Sequence, residues 1–255
     1  MSAPTATSGI AEFALRMGDT CLILAHRNSQ WCGHAPALEE DIALANTALD
    51  LIGQAQLWLG LAADAEGRGR SADSLAYLRD ASGYRNLLLV EQPNGDFGRT
   101  VMRQFLFDAW HYPLLVALKT SSEQRVAEIA EKASKEAAYH LERSVDLVVR
   151  LGDGTPESHQ RMQSALDVLW PYTGEMFLAD GIDDELAEAV IAPAPKSLRP
   201  AWEATVGRAL ADATLKAPET AFAHKGSKRG VHSEHLGYIL AEMQFLQRAY
   251  PGAKW

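Results

Sequence analysis

The sequence predicts an all-α protein built from antiparallel helical hairpins, and three observations predict it. Strand signals are nearly absent: the single candidate, Leu87-Leu88-Leu89-Val90, is short and does not alternate. Apolar residues recur at helical spacing through four long segments. The connections between those segments are short, then long, then short again.

The elements follow in order. Residues 8–27 carry Ile10, Ala14, Met17, Cys21 and Leu24 on one stripe, with Ala11, Leu15, Gly18, Leu22 and Ala25 on a neighbouring one. Residues 36–66 carry Leu38, Ile42, Ala45, Leu49 and Ile52, and beside them Leu44, Ala48, Leu51, Ala55 and Trp58. Two adjoining stripes make the wide apolar face of a helix central to a bundle. Pro36 fits the first turn of the second helix, and Gly67 and Gly69 end it. A connection follows, with a short helical stretch over 72–82, the Leu87–Val90 run and a turn at Pro93-Asn94-Gly95. Residues 97–118 form a third long helix, and 122–150 a fourth, stopped by Gly152-Asp153-Gly154. A fifth spans 156–179 with a kink at Pro171. After Pro193 and Pro195 come helices over 199–215 and 233–249, the last capped by Ser233.

Helices 1 and 2 are joined by about ten residues and helices 3 and 4 by only a few, so each pair is an antiparallel hairpin. About 30 residues separate the hairpins, enough for a long crossover. This pattern predicts a ferritin-like up-down four-helix bundle with a long crossover and extra C-terminal helices. Residues 1–255 then form a single domain, with a core bundle over 8–150 and additional helices over 156–249.

Composition narrows the function. The chain of 255 residues has 24 basic and 33 acidic side chains, a net charge of −9, which disfavours a nucleic-acid partner. The densest basic patch, Lys225, Lys228 and Arg229, is too small to reverse that. No apolar run of about 18 residues could span a membrane, and the first ten residues have no signal-peptide pattern. Cys21 reads as a small core hydrophobe, and with Cys32 it makes no disulfide framework, so a reducing cytoplasm is expected.

Ferritin-like bundles often hold two metals, bound by a Glu from each of two helices and Glu-x-x-His from each of the other two. In the second hairpin Asp108 lies in the stripe Val101, Phe105, Asp108, Tyr112, Leu115, an acid in the middle of an apolar face. Facing it, Val126, Ala133, Ala137, His140 and Ser144 share one side of the next helix. The tetrapeptide Ala137-Ala138-Tyr139-His140 stands level with Asp108, a Glu-x-x-His slot whose Glu is missing. In the first hairpin Asp19 borders an apolar stripe, and Asp50-Leu51-Ile52-Gly53 would be the corresponding slot, with Gly53 in place of His. Asp50 shares the most polar face of its helix with Asn46 and Gln54, which also suits a solvated carboxylate.

A complete site needs four carboxylates and two histidines. At best this chain supplies Asp19, Asp50, Asp108 and His140, with Ala137 and Gly53 vacating two places. A working di-metal site stays open as one reading. The donor count favours another: a vestigial site in which Asp108 and His140 hydrogen-bond one another in a metal-free core. Asp108-Ala109-Trp110-His111 also has metal-ligand spacing, but His111 falls beside the stripe and suits a helix–helix contact better. His232-Ser233-Glu234-His235 opens a helix next to a Gly- and Lys-rich loop, where a capping or interface role is expected. Tyr250 and Trp255 have the character of interface aromatics. Phosphate-loop, dinucleotide, nucleophile-elbow and Cys-x-x-Cys motifs are absent.

Several stretches carry a family likeness: Trp31-Cys32-Gly33-His34-Ala35-Pro36, Ala43-Leu44-Ala45-Asn46, Leu87 through Gly95, Asp108-Ala109-Trp110-His111, and the tail from Gly230 to Arg248. Together they resemble the C-subunit family of bacterial phenylacetyl-CoA 1,2-epoxidases along nearly the whole chain. The resemblance implies a ferritin-like subunit without a functional di-iron centre and with no catalytic residues or cofactor of its own. Its partners would be a homologous catalytic A subunit carrying the di-iron site, small accessory subunits, and a reductase with FAD and iron–sulfur. That complex epoxidises the ring of phenylacetyl-CoA with dioxygen and NADPH. The catalytic relative has a Lys-Glu-Glu-x-x-His-like segment where this chain has Lys135-Glu136-Ala137-Ala138-Tyr139-His140. The resemblance also assigns acyl-CoA contacts to Gly83, Tyr84, Arg85 and Asn86. Two rival expectations are an active di-iron oxygenase and a stand-alone homo-oligomeric bundle.

Overall fold

The computed structural model describes residues 6–253 apart from 221, so Met1–Thr5 and Trp255 lie outside the described residues. Among the described residues ten α-helices follow one another: α1 (Ala6–Ser29), α2 (Leu38–Glu66), α3 (Ala72–Tyr77), α4 (Phe97–Leu118), α5 (Gln124–Gly152), α6 (Pro156–Leu169), α7 (Gly181–Glu188), α8 (Arg199–Asp212), α9 (Glu234–Met243) and α10 (Phe245–Ala249). There is no strand among the described residues. The protein is all-α, and its order of hairpin, long crossover and hairpin is that of a ferritin-like bundle. No described helix is long and apolar enough to cross a membrane. Packing divides the chain into two compact units, one running to Pro93 and resuming at Gly226, the other Asn94–Lys225.

In the first unit α1 and α2 form the hairpin, with the Phe13 ring edge-on to Trp58 at 5.9 Å. Its loop is fastened by Asp41, whose carboxylate accepts from the amides of Gly33 (2.7 Å) and Ala35 (3.3 Å). The side of α2 with Leu44, Ala48, Leu51, Ala55 and Trp58 is buried. The other expected stripe does not join it: Leu38, Ile42, Leu49 and Ile52 are exposed. Leu38 and Leu44 are six residues apart, which sets them about 120° apart around the helix, so the two stripes do not merge into one face.

The candidate strand Leu87–Val90 is instead a buried turn. A run of apolar side chains without alternation suits any buried segment, and here no neighbouring strand offers a ladder. The short helix ends at Tyr77, and a 3-10 turn over Ala81–Gly83 follows. The last helix is two, α9 and α10, interrupted at Gln244. Its side-chain amide donates to the carbonyls of Ala76 (3.2 Å) and Arg79 (2.9 Å) and to the Tyr84 hydroxyl (3.0 Å). Ser233 occupies the N-cap position of α9, yet its hydroxyl makes no cap bond.

In the second unit α4 and α5 form the other hairpin, and α6 and α8 also pack on α4. The Trp202 indole N–H donates to the Leu106 carbonyl at 3.0 Å. Pro171 does not kink a long helix; α6 stops at Leu169, and 3-10 turns over Trp170–Tyr172 and Gly174–Phe177 take over. Proline is placed at the start of such a turn, where its missing N–H costs nothing. Sequence reading missed α7, although Asp180 and Asp183 cap each other's backbone amides at its start.

Candidate functional site

Two of the acids that the sequence assigns to a vestigial site are buried, Asp19 in the first unit and Asp108 in the second. In the first unit Asp19 is fully buried on α1. The Arg79 guanidinium meets it with two N–H groups, one at 3.0 Å to Oδ2 and the other to Oδ1. The Arg85 amide donates a third bond at 2.8 Å. Burial pushes the Asp19 pKa up, and the Arg79 charge and these hydrogen bonds pull against it. Arg79 is itself held by the carbonyls of Leu75 and Gly83 and lies over the Tyr84 ring, 4.3 Å from its centroid. A cationic side chain therefore stands at Asp19 where a metal-binding site would need an open position.

On α2 Asp50 is half-buried, and a Cβ added at Gly53 would meet no described residue outside the backbone of its own helix within 4 Å. The polar residue that α2 buries one turn on is Gln54, whose Oε1 lies 3.8 Å from the Cys21 sulfur. The Asn46–Asp50–Gln54 face is thus graded from exposed to buried, and only its last member reaches the interior.

In the second unit Asp108, Ala137 and His140 are all buried, as their spacing predicts. Asp108 has two donors that the sequence reading did not name. Gln104 donates to one carboxylate oxygen at 2.7 Å and the Ser144 hydroxyl to the other at 2.9 Å. Gln104 precedes Asp108 by one helical turn and Ser144 follows His140 by one, so both lie on the faces that meet at the acid. Burial raises the Asp108 pKa to about 6, against the opposing charge of His140 and the bonds from Ser144 and Gln104. His111, beside that stripe, is fully buried, its ring 4.6 Å from that of Phe107. Neither of its nitrogens has a hydrogen-bond partner among the described residues. Burial, then the nearby His140, lowers its pKa to about 3, so the ring is neutral.

The Asp108 shift has a measurable consequence. Its folded pKa lies above the unfolded value near 3.9, so the stability it contributes at acid pH is lost as pH rises from about 4 through 6. Two pKa units correspond to roughly 3 kcal/mol, of which weaker bonding to Asn would return part. Asp108→Asn is therefore expected to stabilise the chain by about 1–2 kcal/mol at pH 8 and by nothing at pH 4. Urea unfolding of both forms across this range checks it; parallel pH profiles would show that Asp108 carries no such shift.

Among the described residues no group of three or more His, Cys, Asp or Glu side chains is placed to hold a metal. The residues present do not fit a di-metal centre: Asp19 is matched by a guanidinium, Asp108 by an amide and a hydroxyl, and Ala137 has no donor atom.

The segment Gly83–Asn86 is the hub of the first unit. The Gly83 carbonyl holds Arg79. Tyr84 is buried, with its hydroxyl donating to Ala76 and its pKa raised by burial. Arg85 is half-buried and pairs with Glu12 at 3.2 Å, while Asn86 donates to Glu91 at 2.9 Å. Glu91 is fully buried and also accepts from the Ser233 amide at 2.6 Å. His232 lies between two acceptors, Glu91 Oε2 at 2.9 Å and the Tyr84 carbonyl at 3.0 Å. Both ring nitrogens must donate, which requires the imidazolium; burial works against the charge, but these bonds outweigh it and raise the pKa. His232 is thus neither a metal ligand nor a helix cap but a clamp between the tail and the Leu87–Gln92 turn. Glu91 was invisible as a site residue in the sequence because nothing local marks a glutamate that a residue 141 positions away will cover.

The sequence profile described as Phenylacetic acid catabolic protein matches residues 1–255. The chain is 50% identical over 246 residues to the C subunit of the 1,2-phenylacetyl-CoA epoxidase of Escherichia coli (strain K12), an alignment covering 96% of this chain and 99% of that protein.

Proposed function

Since this chain belongs to the phenylacetic acid catabolic protein family, we propose that it is a non-catalytic, structural subunit of a phenylacetyl-CoA epoxidase. It pairs with a homologous catalytic subunit that carries the di-iron site and supports it in aerobic phenylacetate degradation in the cytoplasm. Small accessory subunits and a reductase with FAD and iron–sulfur complete the assembly. The observation that supports the reading is the way the two buried aspartates of the expected site are answered: Asp19 by Arg79, and Asp108 by Gln104 and Ser144. A chain selected to hold iron would keep those oxygens available to it. Contact with the acyl-CoA belongs to the same reading. Of Gly83, Tyr84, Arg85 and Asn86, it falls to Arg85, whose guanidinium is the one charged group of the four and is half-exposed.

Iron analysis of the chain produced alone in iron-rich medium tests the proposal. Far less than one iron per chain is expected, and no oxidation of phenylacetyl-CoA by this chain, with epoxidation appearing once the catalytic subunit and reductase are added. About two irons per chain, with turnover by this chain and reductase alone, would establish the di-iron oxygenase reading instead.

A further inference from the structure

The outward stripe of α2 has no role in the packing of its own hairpin. Leu38 is 72% exposed, Ile42 52%, Leu49 65% and Ile52 40%. Their spacing of 4, 7 and 3 residues is that of a heptad seam, and a second side of the same helix, about 120° round, is already buried. A helix that is apolar on two separate sides is built to be covered on both. Gly53 and Gly60 continue the stripe, and an added Cβ at either would meet no described residue outside the backbone of its own helix within 4 Å. Glycine inside a helix costs about 1 kcal/mol relative to alanine. Two of them on one open side, with no internal contact to explain them, suit the close approach of another backbone.

Charge identifies the occupant. Over its 29 residues α2 carries six acids and no Lys or Arg, and Glu39, Asp50 and Asp64 border the stripe. A second copy of this chain would set acid against acid along the whole contact. We propose that the α2 stripe seats a helix of the catalytic partner subunit. That helix has an apolar seam bordered by Lys and Arg and runs for about 33 Å, the span from residue 38 to 60. The inference rests on the complex-subunit reading above and adds to it the face used and the chemistry of the surface it meets.

The test measures the affinity of the full-length chain for the purified catalytic subunit. Leu49→Lys with Ile52→Lys is expected to weaken binding by at least about 30-fold, as loss of a central anchor does. Gly53→Leu is expected to weaken it comparably while leaving the Tm of the free chain unchanged or higher, a combination that a purely internal role cannot produce. Val168→Lys, at another exposed apolar position, should bind as the wild type does. Raising salt from 0.05 to 0.5 M should slow association severalfold. If the wild type binds and the stripe variants bind equally well, the face is wrong and the functional reading stands. If the wild type does not bind at all, both fail. A homodimer of the chain alone that the stripe variants dissolve, losses equal to those in Val168→Lys, or an association rate indifferent to salt would each overturn the proposed partner helix.

Discussion

Arg79→Met is expected to lower the Tm of the chain by about 10 °C. The substitution keeps most of the side-chain volume but removes the charge that answers Asp19, a carboxylate with no solvent exposure. Breaking one partner of a buried pair typically costs about 3–5 kcal/mol, because the remaining ion is stranded in a poorly polarisable interior. For a chain of this length that loss is worth roughly 10 °C. The control is the double variant Asp19→Asn with Arg79→Met. The asparagine keeps an oxygen for the Arg85 amide but has no charge to strand, so most of the loss should be recovered. Thermal unfolding of the four forms gives the coupling. A single variant as stable as the wild type would mean that Asp19 needs no cation. It would also remove the main support for reading Arg79 as filling the place of a metal.

The second large effect is at Gly230. Its φ is +72°, and an added Cβ would collide with the Ser82 carbonyl oxygen. That oxygen belongs to backbone and cannot swing aside. Gly230→Ala must therefore push the 226–233 loop off the 3-10 turn, carrying His232 away from Glu91 and Tyr84. A loss of at least about 3 kcal/mol is expected, together with rapid proteolysis of the tail. Gly67→Ala separates the causes. Its φ is +66° but nothing lies near its Cβ, so it should cost only the left-handed strain of about 1 kcal/mol. Equal losses at the two positions would show that the close approach to Ser82 contributes nothing.

Both predictions depend on contacts between segments far apart in the chain, and this is where sequence reading ran out. It placed α4 at Phe97–Leu118 and found Asp108, Ala137 and His140 inside, because burial of a helix face follows from a period of 3.6 residues. It also reads Ala137-Ala138-Tyr139-His140 as a Glu-x-x-His slot without its Glu. It did not find Gln104 and Ser144 at Asp108, since spacing gives the face of a helix and not which of several polar groups on that face arrives within bonding distance. Arg79 lay outside every stripe considered, in a connection read as a short helix and turns.

What the sequence determined by itself, then, is local: the four long helices of the two hairpins, where Gly67 ends α2, and which positions share a side. Such features are decided by interactions within about four residues along the chain. Tertiary structure alone decided that Asp19 meets Arg79, 60 residues on, that His232 locks onto Glu91, and that one apolar side of α2 is covered while the other is left open. The physical reason is that a buried charge is stabilised by whichever group the fold brings within about 3 Å, and a periodic pattern carries no information about that distance.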